Sequence, residues 1–224
     1  MGWTKQFFTS SIGRKFAMAL SALFLMFFLL QHLTINMTST FSEEIFNDLS
    51  HFMGTNPLVQ FLLQPILMFG VVFHFVMGFV LEIKNRNSRE VKYAVNKGSA
   101  NSSWMSRNMI WSGLFLLFFL GFHFKDFWIP EMNYKYVQFN PENPDRYYEE
   151  VVHMFENPLR VGIYVLSFIF LSLHLMHGFQ SAFQSVGARH KKYSPFILKL
   201  GKIYAIAVPA GFIFIALFHH FNAL

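Results

Sequence analysis

The sequence reads as an all-α integral membrane protein, with five transmembrane helices in a single domain over residues 1–224. Composition is the first reason. Hydrophobic residues make up 54% of the chain, 31 residues are Phe, and only 13% are charged. That is too apolar for an ordinary soluble domain. Charge placement is the second reason. No Asp, Glu, Lys or Arg interrupts residues 16–42, 49–81, 108–124, 161–188 or 203–224. A helix needs roughly 20 apolar residues to cross a bilayer core of about 30 Å. Each run supplies one, the third by borrowing from its flanks. The third reason is an internal repeat, in which the first two runs resemble the next two.

Span 1 is placed at 12–37. Its apolar run is too long for a signal peptide and no small-residue cleavage site follows, so it is expected to stay attached. It reads Ser21-Ala22-Leu23-Phe24 and then reaches His32. Span 2, at 57–83, opens with Asn56-Pro57-Leu58 and carries Gly70, His74 and Gly78. Asn as N-cap followed by Pro at the first helical position is a helix start. Span 3, at 105–129, reads Ser112-Gly113-Leu114-Phe115 and reaches His123 at the spacing that separates Ser21 from His32. Span 4, at 158–187, opens with Asn157-Pro158-Leu159 and carries His174, His177 and Gly178. Span 5, at 196–220, has no histidine in its middle. The pairs Phe27-Phe28 and Phe118-Phe119 are expected to face lipid or to pack between helices.

Five spans put the termini on opposite sides. One side receives the N-terminus, 82–107 and 189–202. It holds every Lys and Arg except Lys125, Lys135, Arg146 and Arg160, and no acids except Glu82 and Glu90. The positive-inside rule then places the N-terminus in the cytoplasm and the C-terminus outside. The basic balance, +6 with a pI near 9.6, therefore belongs to membrane topology and not to nucleic acid. The absence of cysteine excludes Cys-ligated iron–sulfur clusters, thioether-attached haem, disulfides and thiolate zinc sites in this chain.

Ionisable residues inside a bilayer are costly and mark functional sites by default. Odd spans run outward, so His32 and His123 fall near the outer face; even spans run inward, so His74 and His174 fall near the inner face. Imidazole is a standard axial ligand of haem iron. One histidine in each of four spans, in two pairs of matched depth, points to two bis-histidine haem b groups. At about 1.5 Å of rise per residue they would stand roughly 15–20 Å apart along the membrane normal. The first four spans then form a haem-binding bundle. Gly78 and Gly178, each the fourth residue after a histidine, share its helix face and leave room for a porphyrin plane. His177 competes with His174 for the ligand position. The repeat selects His174, because His74 also precedes its glycine by four, and leaves His177 to a propionate or a neighbouring helix. Ser21 and Ser112 lie near the inner haem and have two readings: donors to its propionates, or donors to their own backbone carbonyls. Arg14, Lys15 and Arg107 likewise either pair with propionates or serve topology alone. His51, His153, His190, His219 and His220 are expected to be solvated or interfacial.

The chain resembles the dihaem cytochrome b membrane-anchor subunit of bacterial succinate dehydrogenases and fumarate reductases, the succinate:menaquinone oxidoreductases. The resemblance runs over essentially the whole chain, and its most specific piece is His174-Leu-Met-His177-Gly178-Phe-Gln-Ser-Ala-Phe-Gln-Ser-Val-Gly187. In that family the fourth ligand precedes the first of two such glycines by four. The resemblance implies that His32 and His123 hold the outer haem, and His74 and His174 the inner one. It implies a flavoprotein subunit and an iron–sulfur subunit on the cytoplasmic side, membrane menaquinone as electron partner, and a place in the bacterial cytoplasmic membrane, the respiratory chain and the tricarboxylic acid cycle. The dicarboxylate site would lie in another subunit. Some fumarate reductases of the family carry a glutamate two residues before the fourth ligand. Ser172 stands there in this chain, which favours succinate oxidation.

Quinone chemistry needs a proton donor or acceptor within hydrogen-bond reach. The resemblance suggests a site near the outer haem, where the candidates are Glu43, Glu44, Asp48, His51 and Glu156. Two rival functions remain: a dihaem cytochrome b for another quinone-linked dehydrogenase, and a haem-free transporter or assembly factor using its histidines for a metal or for packing. A cation transporter would normally add carboxylates in the middle of its spans.

Overall fold

A computed structural model of the chain describes residues 10–87 and 107–223. Lys5, Arg89, Glu90, Lys92 and Lys97, which enter the charge argument, and the first two residues of the span placed at 105–129 lie outside the described residues. Those described form helices and no strand. Five helices are long and apolar enough to cross a membrane: α1 (Ser11–Thr38), α3 (Val59–Asn87), α4 (Met109–Val137), α6 (Pro158–Ser185) and α7 (Ser194–Asn222). Two shorter ones, α2 (Glu43–Thr55) and α5 (Arg146–Glu156), join them.

Local chemistry sets the starts. Ser10 Oγ accepts from Gly13 N at 2.9 Å and opens α1. Ser42 Oγ accepts from Ile45 N at 3.2 Å and opens α2, with Glu43 and Glu44 in the first turn, where carboxylates suit the helix dipole. The two Asn-Pro sequences make the same cap twice. Asn56 Oδ1 accepts from Leu58 N at 3.0 Å, and Asn157 Oδ1 from Leu159 N at 2.9 Å. Proline at the first helical position costs nothing, since its missing N–H would have no partner there.

The helix α4 runs eight residues past the end assigned to it from sequence. Charges at Lys125, Asp126, Glu131 and Lys135 suggest an aqueous loop, but Asp126, Glu131 and Lys135 are held laterally. Lys135 Nζ meets Glu131 at 2.5 Å, Arg146 joins the same carboxylate, and Asp126 is buried. The helix also passes Pro130 through two π-turns, Phe124–Trp128 and Asn133–Val137. Wider turns accommodate a residue that cannot donate to the ladder.

The helices α2 and α5 are a further difference. The segments between spans read as loops, yet both fold as amphipathic helices lying together at the end of the bundle away from the N-terminus. Asn47 joins them: its amide donates to Asp145 O at 3.1 Å and accepts from Tyr148 N at 2.8 Å. Phe46, Val151 and Phe155 are buried between them and the spans.

The first four spans close into a ring in the order α1–α3–α4–α6, with α3 and α4 touching least. The helix α7 lies against α1 and α6. Both apolar cores sit on that side, one around Tyr164, Phe168 and Phe212, the other around Ala19, Leu175, Phe179 and Ala205. By contrast, the described residues of α3 bury only Val59 and Gly70 fully, and those of α4 only Ser112 and Asp126. Close approach of α7 depends on small residues. A Cβ on Gly201 would lie 2.6 Å from Phe179 Cδ1, and one on Gly211 would lie 2.9 Å from Leu33 Cδ1. Tyr204 adds a hydrogen bond to Met26 O at 2.5 Å.

His219 departs from the solvated role expected of it. It is 1% exposed, and its Nε2 lies 2.8 Å from Ser39 Oγ. The contact joins the last turns of α1 and α7, so the C-terminus sits at the end opposite Ser11. His51 and His153 lie on α2 and α5, not in loops.

Because Phe179 is stacked on Phe183 at 4.8 Å, its ring cannot swing away from an added methyl. Gly201→Ala is expected to cost about 1–3 kcal/mol through overpacking, read as a lowered unfolding temperature of the purified chain in detergent.

Candidate functional site

The ring of four spans brings four intramembrane histidines together in two pairs, each across a diagonal. His74 on α3 faces His174 on α6, with ring centroids 6.4 Å apart and planes at 66°. His32 on α1 faces His123 on α4, at 5.8 Å and 86°. All four rings are half-buried.

The inner pair is held by the other two helices. Ser21 of α1 places Oγ 3.1 Å from His74 Nδ1, and Ser112 of α4 places Oγ 3.2 Å from His174 Nδ1. Each hydroxyl proton is already committed, to Met18 O at 2.8 Å and to Met109 O at 2.9 Å. A hydroxyl has one proton to give. Its oxygen therefore accepts from the imidazole, which puts the ring proton on Nδ1 and leaves the Nε2 lone pair free. This orientation by a neighbouring acceptor is what metal-binding imidazoles usually have. Of the two readings left open for these serines, the backbone carbonyl takes the proton and the histidine takes the oxygen.

The outer pair is walled by aromatic rings. Phe28 stacks on His32 at 5.4 Å, and Phe119 lies 5.9 Å from His123. Each precedes its histidine by one helical turn. Their sequence neighbours Phe27 and Phe118 point outward, 72% and 62% exposed. Phe212 of α7 and Tyr164 of α6 complete the wall at 5.7 and 6.3 Å. His123 Nδ1 is buried with no hydrogen-bond partner, and Asn36 Nδ2 lies 3.4 Å from His32 Nδ1.

Ring separation can be checked against what two trans ligands require. A metal–imidazole bond of about 2 Å, plus the distance of roughly 1 Å from nitrogen to ring centre, puts two opposed centroids ~6 Å apart. Both pairs meet that distance. The space beside them is also defined. A Cβ on Gly78 would come no closer than 3.8 Å to Met18 Cε, and one on Gly178 would lie 3.7 Å from Met109 Cε. Only flexible thioether ends border these glycines, and such ends move readily. Gly113 brings α4 close to the inner pair, since its added Cβ would sit 3.6 Å from His174 Cε1. His177 turns toward α7, into a hollow with Gln180 and Lys202.

The proposed proton-handling residues are scattered. Glu43 and Glu44 start α2, and Asp48 is exposed. Glu156 is exposed and lies 3.1 Å from His153. His51 is different. It is half-buried, its Nδ1 has no partner, and its ring lies 6.3 Å from Tyr147. Burial, with the charge of Glu131, pushes the Tyr147 hydroxyl up to about 12. Burial pulls the neighbouring Arg146 guanidinium down, but its hydrogen bonds to the Glu131 and Glu150 carboxylates outweigh this and hold it above its ordinary value. Tyr134 and Tyr147 flank that guanidinium at 4.2 and 4.4 Å.

One group escaped the sequence reading. Asp126 follows the charge-free run at 108–124 and reads as an edge charge, yet it is 5% exposed within α4. Tyr164 OH donates to Asp126 Oδ2 at 3.0 Å, and Arg160 Nε lies 3.2 Å from the same oxygen. Its place one turn after His123 was the available signal.

Comparison with family models, with curated proteins and with solved structures finds no match to this chain.

Ser112→Ala removes the acceptor for His174 Nδ1–H and leaves a buried donor unanswered. The expected cost is about 1–3 kcal/mol, seen as a lowered unfolding temperature, whereas Ser112→Thr keeps the hydroxyl and most of the stability. Ser21→Ala is expected to act in the same way on His74.

Proposed function

We propose that this chain is the dihaem cytochrome b anchor subunit of a succinate:quinone oxidoreductase in the bacterial cytoplasmic membrane. The observation that carries the reading is the two imidazole pairs, with ring centroids 5.8 and 6.4 Å apart, held in a ring of membrane-spanning helices. His74 and His174 would hold the inner haem b, and His32 and His123 the outer. Haem iron so held supplies one-electron transfer between its two oxidation states.

The chain's own residues have separate tasks in this reading. Ser21 and Ser112 fix the inner imidazoles with Nε2 free, so that no ring must turn before it binds. Phe28, Phe119, Phe212 and Tyr164 keep water from the outer pair. Gly78 and Gly178, bordered only by flexible methionine ends, leave room on the histidine faces of α3 and α6 for a planar group. The basic residues at the N-terminal end set that end in the cytoplasm and form the docking surface for an iron–sulfur subunit, itself joined to a flavoprotein. Haem groups held by these histidines would supply one-electron carriers on the way to menaquinone at the outer end, in the direction of succinate oxidation that Ser172 favours. With protons taken up outside and released inside, turnover would draw on the membrane potential.

The deciding measurement is a pyridine haemochrome assay with a reduced-minus-oxidised spectrum on wild type, His74→Ala and His123→Ala. Two b haems per chain in wild type are expected, with each variant losing a different one. A folded wild type without b-type absorption overturns the proposal.

A further inference from the structure

The buried acid of α4 borders a hollow of about 160 Å³ between α4 and α6. Its lining mixes apolar Phe122, Leu159 and Ile163 with polar Lys125, Asp126, Asn157, Arg160 and Tyr164. Asp126 is carried by the π-turn Phe124–Trp128, which begins directly after His123, and π-turns recur at functional sites. The Tyr164 ring reaches from Asp126 Oδ2, at 3.0 Å, to the His123 ring, at 6.3 Å between centroids. The hollow is thus one side chain from the outer histidine pair. An acid within a membrane-spanning helix carries a desolvation cost, and here the cost is met beside a cavity.

We propose that this hollow binds the head group of the membrane quinone, and that Asp126 is the residue that exchanges protons with it. The inference rests on the function proposed above and assigns that function a site distinct from Glu43, Glu44, Asp48, His51 and Glu156. Arg160 and Tyr164 hold the carboxylate in position. A lining that mixes apolar and polar side chains suits a flat ring with polar oxygens and apolar edges. The isoprenoid tail leaves past Leu159, which is 74% exposed toward lipid. Converting a quinone to a quinol takes two electrons and two protons. The electrons would be supplied, one at a time, by a haem held at His32 and His123. Each proton passes from water at the outer end to the Asp126 carboxylate, and from there to a quinone oxygen, whose carbonyl becomes a C–OH. Asp126 finishes as the carboxylate it was. Quinol oxidation reverses every transfer.

The test uses the whole membrane complex and a photoreactive azido derivative of 2-methyl-1,4-naphthoquinone, with labelled peptides mapped by mass spectrometry. Label is expected on the peptides carrying Phe122–Asp126 and Leu159–Tyr164. Asp126→Asn is expected to lower quinone turnover by roughly 100-fold or more, the usual weight of a positioned proton-transfer group, with the reduced-minus-oxidised spectrum unchanged. Leu159→Trp fills the hollow from the lipid side without touching the ion pair. It is expected to cut labelling several-fold with the same unchanged spectrum, and it decides the matter if Asp126→Asn does not fold. Label found instead around His51 on α2, or both variants turning over like wild type, overturns the inference. A wild type lacking b-type absorption fails the function proposed above whatever the label does, and the labelled positions then still decide whether the hollow takes a quinone.

Discussion

The ring proton of an imidazole inside a membrane is stabilised by a protein acceptor, because hydrocarbon offers none. The inner pair meets this requirement through serines that are themselves already donating to a backbone carbonyl. The arrangement uses all four helices, since the histidines sit on α3 and α6 while the serines sit on α1 and α4. No helix of the ring can turn about its axis without breaking one of these contacts. These two hydrogen bonds, with the packing of α1 and α6 on α7, hold the relative rotation of the four spans.

The same geometry explains the internal repeat. Ser21 to His32 and Ser112 to His123 are equal separations, close to three turns of an α-helix. One face of α1 therefore shows a serine at the inner level and a histidine at the outer level, and one face of α4 does the same. The Asn-Pro starts do the corresponding work for α3 and α6, which fix where each helix begins and so how deep His74 and His174 lie. Packing is then divided unequally. The helices α1, α6 and α7 hold the apolar cores, with Gly201 and Gly211 allowing close approach. The helices α3 and α4 are left with few fully buried side chains around the histidines.

The spans were legible in the sequence because hydrocarbon imposes a simple rule on charge, and the charge-free runs obey it. The pairing of the histidines by depth was legible because depth follows from spacing, while their place on the diagonals came from the order of the helices in the ring. What stayed hidden required a tertiary partner. Asp126 and Glu131 look like the edge of a membrane until Arg146, Arg160 and Tyr164 are brought to them by α5 and α6. The helices α2 and α5 are short and polar, and their burial depends on Asn47 joining two segments far apart in sequence. His219 looks solvated beside the C-terminus, and only the arrival of Ser39 buries it. Serine contact with the inner histidines was equally invisible, since nothing in the spacing says which helix faces which.

The helix α4 ties these features into one element. Along it, in order, lie Ser112 at the inner pair, His123 at the outer pair, Asp126 at the hollow and Glu131 at the outer ion cluster. The first two share a face at ordinary helical spacing. The π-turn then interposes a wider turn after His123, which shifts the register of everything beyond it. Asp126 can thereby face Tyr164 and Arg160 on α6 while His123 still faces His32. Without the shift, continued α-helical phase and Pro130 would compete for the same stretch of backbone. The irregular turn is thus the point where a helix built to hold histidines becomes one that also places a buried carboxylate, and the ion pairs of Glu131 with Lys135 and Arg146 anchor its far end.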